Sequence, residues 1–156
     1  MKENKLVNLE NAREDQQRER MENSERLKVC IFCTEGLKEI HKLPILKENK
    51  TFLVTDNAFP YQGTLHHVLI IPKAHISNIS ELGVEEWCDM KEMIDWIIKD
   101  RKIDGGSLFI RFGDSSYNCG SLNHLHIHII VGEMSEYSLK EKEKEKIKIP
   151  LGWKTT

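Results

Sequence analysis

The sequence predicts an α+β fold in which several short strands share one sheet and carry a single main helix. Two patterns and a length lead there. Four short segments rich in β-branched and aromatic residues lie between turn formers, and one longer segment repeats its apolar residues at helical spacing. At 156 residues the chain has room for one ordinary domain with a real core, hence one site per subunit. Lys+Arg of 23 against Asp+Glu of 25 leaves a net charge of −2, which argues against nucleic acid as the main partner while leaving local phosphate binding open. No apolar stretch reaches the roughly 18 residues of a spanning helix, and Met1 to Lys5 leads into charge rather than a signal segment. The expectation is a cytoplasmic protein with no membrane partner.

The elements follow in order. Residues 1–27 are dominated by Glu, Arg, Asn and Gln, too poor in apolar residues for a continuous stripe, and predict a charged exposed helix or a loose tail. The central domain is expected over 28–134. Its first part, Val29 to Lys47, holds a Cys pair, Gly36 and Pro44 and suits irregular structure pinned by something other than core burial, such as a metal. Strands are predicted at Thr51–Thr55, His67–Ile71 and Leu108–Phe112. Between the last two, Trp87, Met90, Ile94, Ile97 and Ile98 form a helical stripe over 84–101, stopped by Asp104-Gly105-Gly106. The fourth strand, His124 to Val131, turns His124, His126 and His128 one way and Leu125, Ile127 and Ile129 the other, giving one face to chemistry and one to the core. Residues 135–156 form a charged extension: Lys140 to Lys146 alternates Lys and Glu as a solvated surface, while Pro150 and Gly152 oppose a helix.

Three histidines alternating on a strand are costly in an ordinary core, since each ring has two nitrogens to satisfy and titrates near neutral pH. Side chains two apart on one strand face stand roughly 6.6 Å apart, close enough to share a phosphate. An imidazole whose tautomer is fixed by a carbonyl or carboxylate is a sound nucleophile at phosphorus. Upstream, Asn118-Cys119-Gly120-Ser121 offers a glycine and a hydroxyl in a turn that can aim an N–H and an O–H at phosphate oxygens. A metal site or satisfied surface histidines, and for Gly-Ser an ordinary turn, are the plainer alternatives.

The segment Gly120-Ser121-Leu122-Asn123-His124-Leu125-His126-Ile127-His128-Ile129-Ile130 resembles the signature of the histidine-triad (HIT) family. So does the earlier pair Phe59-Pro60-Tyr61 and His67-Val68-Leu69-Ile70-Ile71-Pro72-Lys73-Ala74-His75, and the likeness runs from about Cys30 to Val131. It implies an antiparallel sheet of about five strands, a homodimer, and nucleotidyl transfer in two steps. His126 displaces the leaving group from the α-phosphorus, and water or phosphate then resolves the nucleotidyl-histidine. By the same resemblance His128 contacts the phosphate, Ser121 and the Gly120 amide hold its oxygens, and apolar residues from Leu53 to Phe59 wall the base pocket. The Gly-Ser and His-Leu-His pattern is most similar to diadenosine polyphosphate hydrolases and phosphorylases. Many relatives carry an Asn-x-Gly and a Gln where this chain has Arg111-Phe112-Gly113-Asp114 and Cys119-Gly120, and a proline where it has Ile130-Val131-Gly132. Asn118 or Arg111 is the candidate replacement at the leaving group; Arg111 as a strand residue facing solvent is the other reading.

Cys30-Ile31-Phe32-Cys33 has the spacing of half a tetrahedral zinc site, and in a reducing compartment such a pair more often holds metal than a disulfide. The resemblance completes the set with His75 and His124, a structural Cys2His2 zinc with no open position. His41 is the competing ligand, and two small buried cysteines beside a surface His75 are the metal-free reading. Cys88 reads as packing; Cys119 reads as oxidation-sensitive without being catalytic. Two rivals to the enzyme remain: a nucleotide-binding regulator or scaffold whose 1–27 tail binds a partner, and a hydrolase using all three histidines on an open zinc.

Overall fold

The computed structural model describes residues 5–133 and 146–152. Five strands, β1 (Ile45–Glu48), β2 (Phe52–Asp56), β3 (Thr64–Pro72), β4 (Ser107–Arg111) and β5 (His126–Gly132), form one antiparallel sheet in the order β1-β2-β3-β5-β4. The α+β expectation and the strand count hold. The 29–47 region is less irregular than its sequence suggests, because it ends in β1. That edge strand is mostly exposed, so no buried alternation betrays it. β5 begins at His126 rather than His124, which stands in the bend before it.

Both faces of the sheet are covered. On one, Val54, Val68, Ile70, Ile127 and Ile129 pack under helix α2 (Val84–Asp100). Its buried residues are Met90, Met93 and Ile97, whereas Trp87 and Ile98, assigned to the stripe, are largely exposed. The helix starts where the Glu86 carboxylate accepts from the Gly83 N–H at 3.0 Å and ends before Lys102, which turns left-handed at φ 52°. The stop therefore comes ahead of the Asp-Gly-Gly run.

The other face, which carries the histidines, is not left to chemistry alone. Leu53, Leu69 and Ile71 pack there against Val7, Met21, Ile31, Phe32 and Ile40, each such burial contributing roughly 1.5–3 kcal/mol. Helix α1 (Asp15–Leu27) lies in this second layer and buries Gln17, Met21 and Ser24, spaced four and three apart. Two of the three are polar, which is why residues 1–27 read as an exposed or loose segment. Ahead of α1 an extended arm runs along the Gly120 turn: Asn8 N–H donates to Ser121 O, Asn123 N–H donates to Leu6 O, and Val7 bridges to Leu122. The Lys/Glu alternation lies outside the described residues except for Lys146. From Lys146 to Gly152 the chain has no helix.

Candidate active site

β5 presents His126 and His128 on one face of the sheet, flanked by residues of β3 and β4. The register pairs Leu69 and Phe109 with His128, and Arg111 with His126. Phe109 stacks on His128 at 4.3 Å between ring centres and 8° between planes. The His124 carbonyl lies 2.7 Å from His126 Nδ1. A carbonyl only accepts, so Nδ1 carries the proton and Nε2 keeps its lone pair. Burial holds His126 down at about 4, with Arg111 adding to the effect, so the ring is neutral at physiological pH.

A second chain of bonds sets the tautomer of His128. The Tyr61 backbone N–H, a fixed donor, points at His67 Nδ1 at 3.1 Å, which leaves the His67 proton on Nε2. That proton goes to His128 Nδ1 at 2.9 Å. Asn57 Nδ2 also lies 2.9 Å from His67 Nε2, its Oδ1 being taken by the Phe59 N–H at 2.9 Å; a neutral ring that already accepts at Nδ1 has no second acceptor, so this is a contact and not a hydrogen bond. Burial, with Arg13, pushes His67 down to about 3 and likewise lowers His128, so both stay neutral. His128 then bears its proton on Nε2, 3.4 Å from Arg111 Nη1. Two donors face each other there, and an acceptor such as a phosphate oxygen satisfies both.

These groups open on one shared cleft. Gly120, Ser121, Phe59, His126 and His128, all singled out from sequence, line it together. Ser121 Oγ accepts from Gln17 Nε2 at 3.3 Å, so its O–H is free to donate. The Gly120 N–H points elsewhere than the resemblance implies: it donates to Asn118 Oδ1 at 2.7 Å. Asn118 is absent from the lining, because its amide is spent within the turn on Gly120 N–H and Phe112 O. The solvent-facing reading of Arg111 is overturned, since the residue is 9% exposed, lines the cleft, and sends Nε to Asn118 O and Nη2 to Pro150 O.

The four proposed metal ligands also meet. Cys30 Sγ, Cys33 Sγ and one nitrogen each of His75 and His124 all lie within 4.8 Å of one another. His124 gives its Nε2 proton to Pro72 O at 2.9 Å, leaving Nδ1 bare at 3.3 Å from Cys30 Sγ and 3.8 Å from Cys33 Sγ. His75 Nδ1 is 3.4 Å from Cys33 Sγ. This set could hold a metal ion. His41 is no competitor, being buried and bonded through Nε2 to Thr55 Oγ1 at 3.0 Å. Cys88 is exposed, so its packing reading is corrected; Cys119 lines the cleft in a left-handed conformation.

Sequence reasoning missed His67, read only as a strand residue, and the cleft-lining contribution of the N-terminal segment. Asn11, Arg13, Gln17 and Arg20 all line the cleft. A histidine opening an otherwise aliphatic run, Val68 to Ile71, was the available signal for the first; polar residues at i, i+4 carry none for the rest.

Residues 29–144 match the family model described as scavenger mRNA decapping enzyme C-term binding. The chain is 30% identical over 107 residues to the adenosine 5'-monophosphoramidase HINT3 of Danio rerio, across 66% of this chain and 64% of that one, so it spans under two thirds of that relative's length. An uncharacterized HIT-like protein of Chlamydia muridarum is 29% identical over 101 residues, 63% of this chain and 75% of its own. Among solved structures, a hypothetical histidine triad nucleotide-binding protein from Sulfolobus tokodaii superposes with TM-score 0.55 at 25% identity, covering 80% of this chain and 81% of that one. A histidine triad protein from Clostridium difficile gives 0.53 at 25%, covering 68% and 92%. With the family model spanning well over half of its length and the triad set in a matching fold, the chain belongs to the histidine-triad family.

Proposed function

We propose that the protein cleaves nucleotide conjugates at the α-phosphorus through a nucleotidyl-histidine on His126. The observation that carries this is the 2.7 Å contact from the His124 carbonyl to His126 Nδ1, which leaves the Nε2 lone pair of a neutral ring for the substrate. In the first step Nε2 bonds to phosphorus, the bond from phosphorus to the leaving group breaks, and its electron pair departs with that group. His128 Nε2–H and Arg111 meet the charge that develops on oxygen, and the Ser121 O–H is a third donor. Water or phosphate then attacks the phosphorus from the side the leaving group vacated and returns the histidine.

Zinc is the metal that suits the Cys30, Cys33, His75 and His124 set. A tetrahedral zinc puts sulfur and nitrogen ligands about 3.6 Å apart and two sulfurs about 3.8 Å apart. The S–N separations of 3.3, 3.4 and 3.8 Å bracket the first value. Burial pushes the Cys30 thiol up to about 12, and a bound cation would take up the thiolate instead. Such a metal ties the Cys loop to the residue two before His126, and four protein ligands give it a structural role.

Incubation with dinucleoside polyphosphates and with AMP amidates, with and without inorganic phosphate, tests the reaction. Wild-type protein should form a protein–AMP adduct visible by mass, and His126→Ala should lose turnover by about 10³-fold or more while keeping its circular dichroism. Normal cleavage by His126→Ala would refute the covalent route. Tight nucleotide binding with neither adduct nor turnover would identify a nucleotide-binding regulator.

A further inference from the structure

We propose that the N-terminal arm with the start of α1, residues 6–20, is part of the substrate site, and that Arg13 and Arg20, lining the same cleft as Arg111, form a subsite for phosphate groups beyond the reacting one that Arg111 meets. The arm precedes residues 29–144, the span that the family model matches. It is fastened to the catalytic turn by the Asn8 and Asn123 backbone bonds, by Asn11 Nδ2 donating to Gly120 O at 2.7 Å, and by Gln17 on Ser121.

Charge is the first argument. Among the described residues the cleft lining holds three arginines and no carboxylate, in a chain whose net charge is −2. Among the described residues none of the three guanidinium groups has a carboxylate within ion-pair distance. Arg13 lies over the Tyr61 ring at 4.3 Å and gives one N–H to Phe59 O; Arg20 lies over Phe59 at 4.9 Å and gives one to His41 O. Each guanidinium has five N–H donors, so four remain on both. Concentrating like charge in a cleft costs free energy until a counter-charge arrives. A nucleotidyl group at the α-phosphorus brings one negative charge, and that oxygen is already met by His128 and Arg111. Two further arginines call for further phosphates.

Asn11 supplies an independent sign that the arm meets a ligand. It lines the cleft at 9% exposure, and its Oδ1 is buried with no partner. The amide cannot be reversed to cure this, because Nδ2 already donates to two carbonyls, Gly120 O and Ser115 O. An acceptor sealed this way is satisfied if a bound molecule parts the cleft wall and gives it an N–H or O–H, such as a ribose hydroxyl.

The consequence is a preference for phosphoanhydrides over amidates with an uncharged leaving group. That part rests on the nucleotide-cleaving reading above; the anion subsite itself does not. Inorganic tripolyphosphate is therefore the first probe, titrated calorimetrically into the full chain, the Arg13→Gln/Arg20→Gln variant and Arg13→Lys/Arg20→Lys. Wild type should bind it, the Gln pair should bind at least 10-fold more weakly, and the Lys pair should retain most of the affinity. For wild type and the Gln variant, kcat/KM is then measured on a dinucleoside polyphosphate and an AMP amidate. The ratio of the two should fall by 10- to 100-fold in the variant. Equal tripolyphosphate affinity in wild type and the Gln variant, or an unchanged ratio, overturns the subsite and leaves the arginines a purely structural task. If wild type turns over neither substrate but binds tripolyphosphate through these residues, the cleavage reading fails while the subsite stands.

Discussion

His41 offers a direct test of how burial governs this protein. The ring is 3% exposed, and Thr55, whose O–H is spent on Pro44 O at 3.0 Å, accepts the His41 Nε2–H at 3.0 Å. A second proton would put a charge in a dry site near the Arg20 guanidinium; burial, then Arg20, holds the group at about 4 instead of 6.5. The folded state thus prefers neutral His41. Its contribution is complete above pH 6.5, where the unfolded chain is also neutral, and is lost as pH falls toward 4. At 1.36 kcal/mol per pH unit the full loss is about 3 kcal/mol, and between pH 7.5 and 5.0 it is about 2 kcal/mol. His41→Gln keeps an N–H for Thr55 and removes the titration. Urea unfolding at both pH values should show wild type losing about 2 kcal/mol more than the variant, the other buried histidines cancelling in the difference. A gap between the two proteins that is the same at pH 7.5 and 5.0 refutes the reasoning.

Two further outcomes follow from the metal region. Gly36 has ordinary helical angles, yet a Cβ there would stand 2.0 Å from the Cys30 carbonyl oxygen. Gly36→Ala should cost about 1–3 kcal/mol and weaken metal retention, read as a lower melting temperature that chelator depresses less than in wild type; an unchanged melt with metal held would contradict this. Protein purified without added metal should carry about one zinc per chain by elemental analysis, and Cys33→Ala close to none. Well-folded, metal-free wild type would remove zinc from the account.

The parts of the site legible in the sequence are those whose chemistry is unusual for their setting. Histidines at 124, 126 and 128 break the economy of a buried strand, and Cys30 with Cys33 breaks that of a loop, so both announce themselves. What stayed hidden is polar structure that looks like solvent-exposed sequence. Gln17 and Ser24 face inward on α1, yet by residue type they belong outside. Asn118 fits a phosphate turn by type, but in the folded turn its amide is consumed closing that turn. Arg111 could have faced either way on β4; pairing with β5 decided it. β1 escaped because an exposed edge strand needs no apolar alternation.

The line from Tyr61 through His67 to His128 ends, at its inner end, on a backbone amide. An amide does not surrender its hydrogen at any pH the protein survives, so this is a wire with one terminal sealed. In the proposed reaction, no proton released at phosphorus could drain through the interior by that route. If the protein cleaves as proposed, acid for the departing group and base for the incoming one are exchanged instead at the mouth of the cleft, on the side where substrate would enter. Proton traffic and ligand traffic share one door.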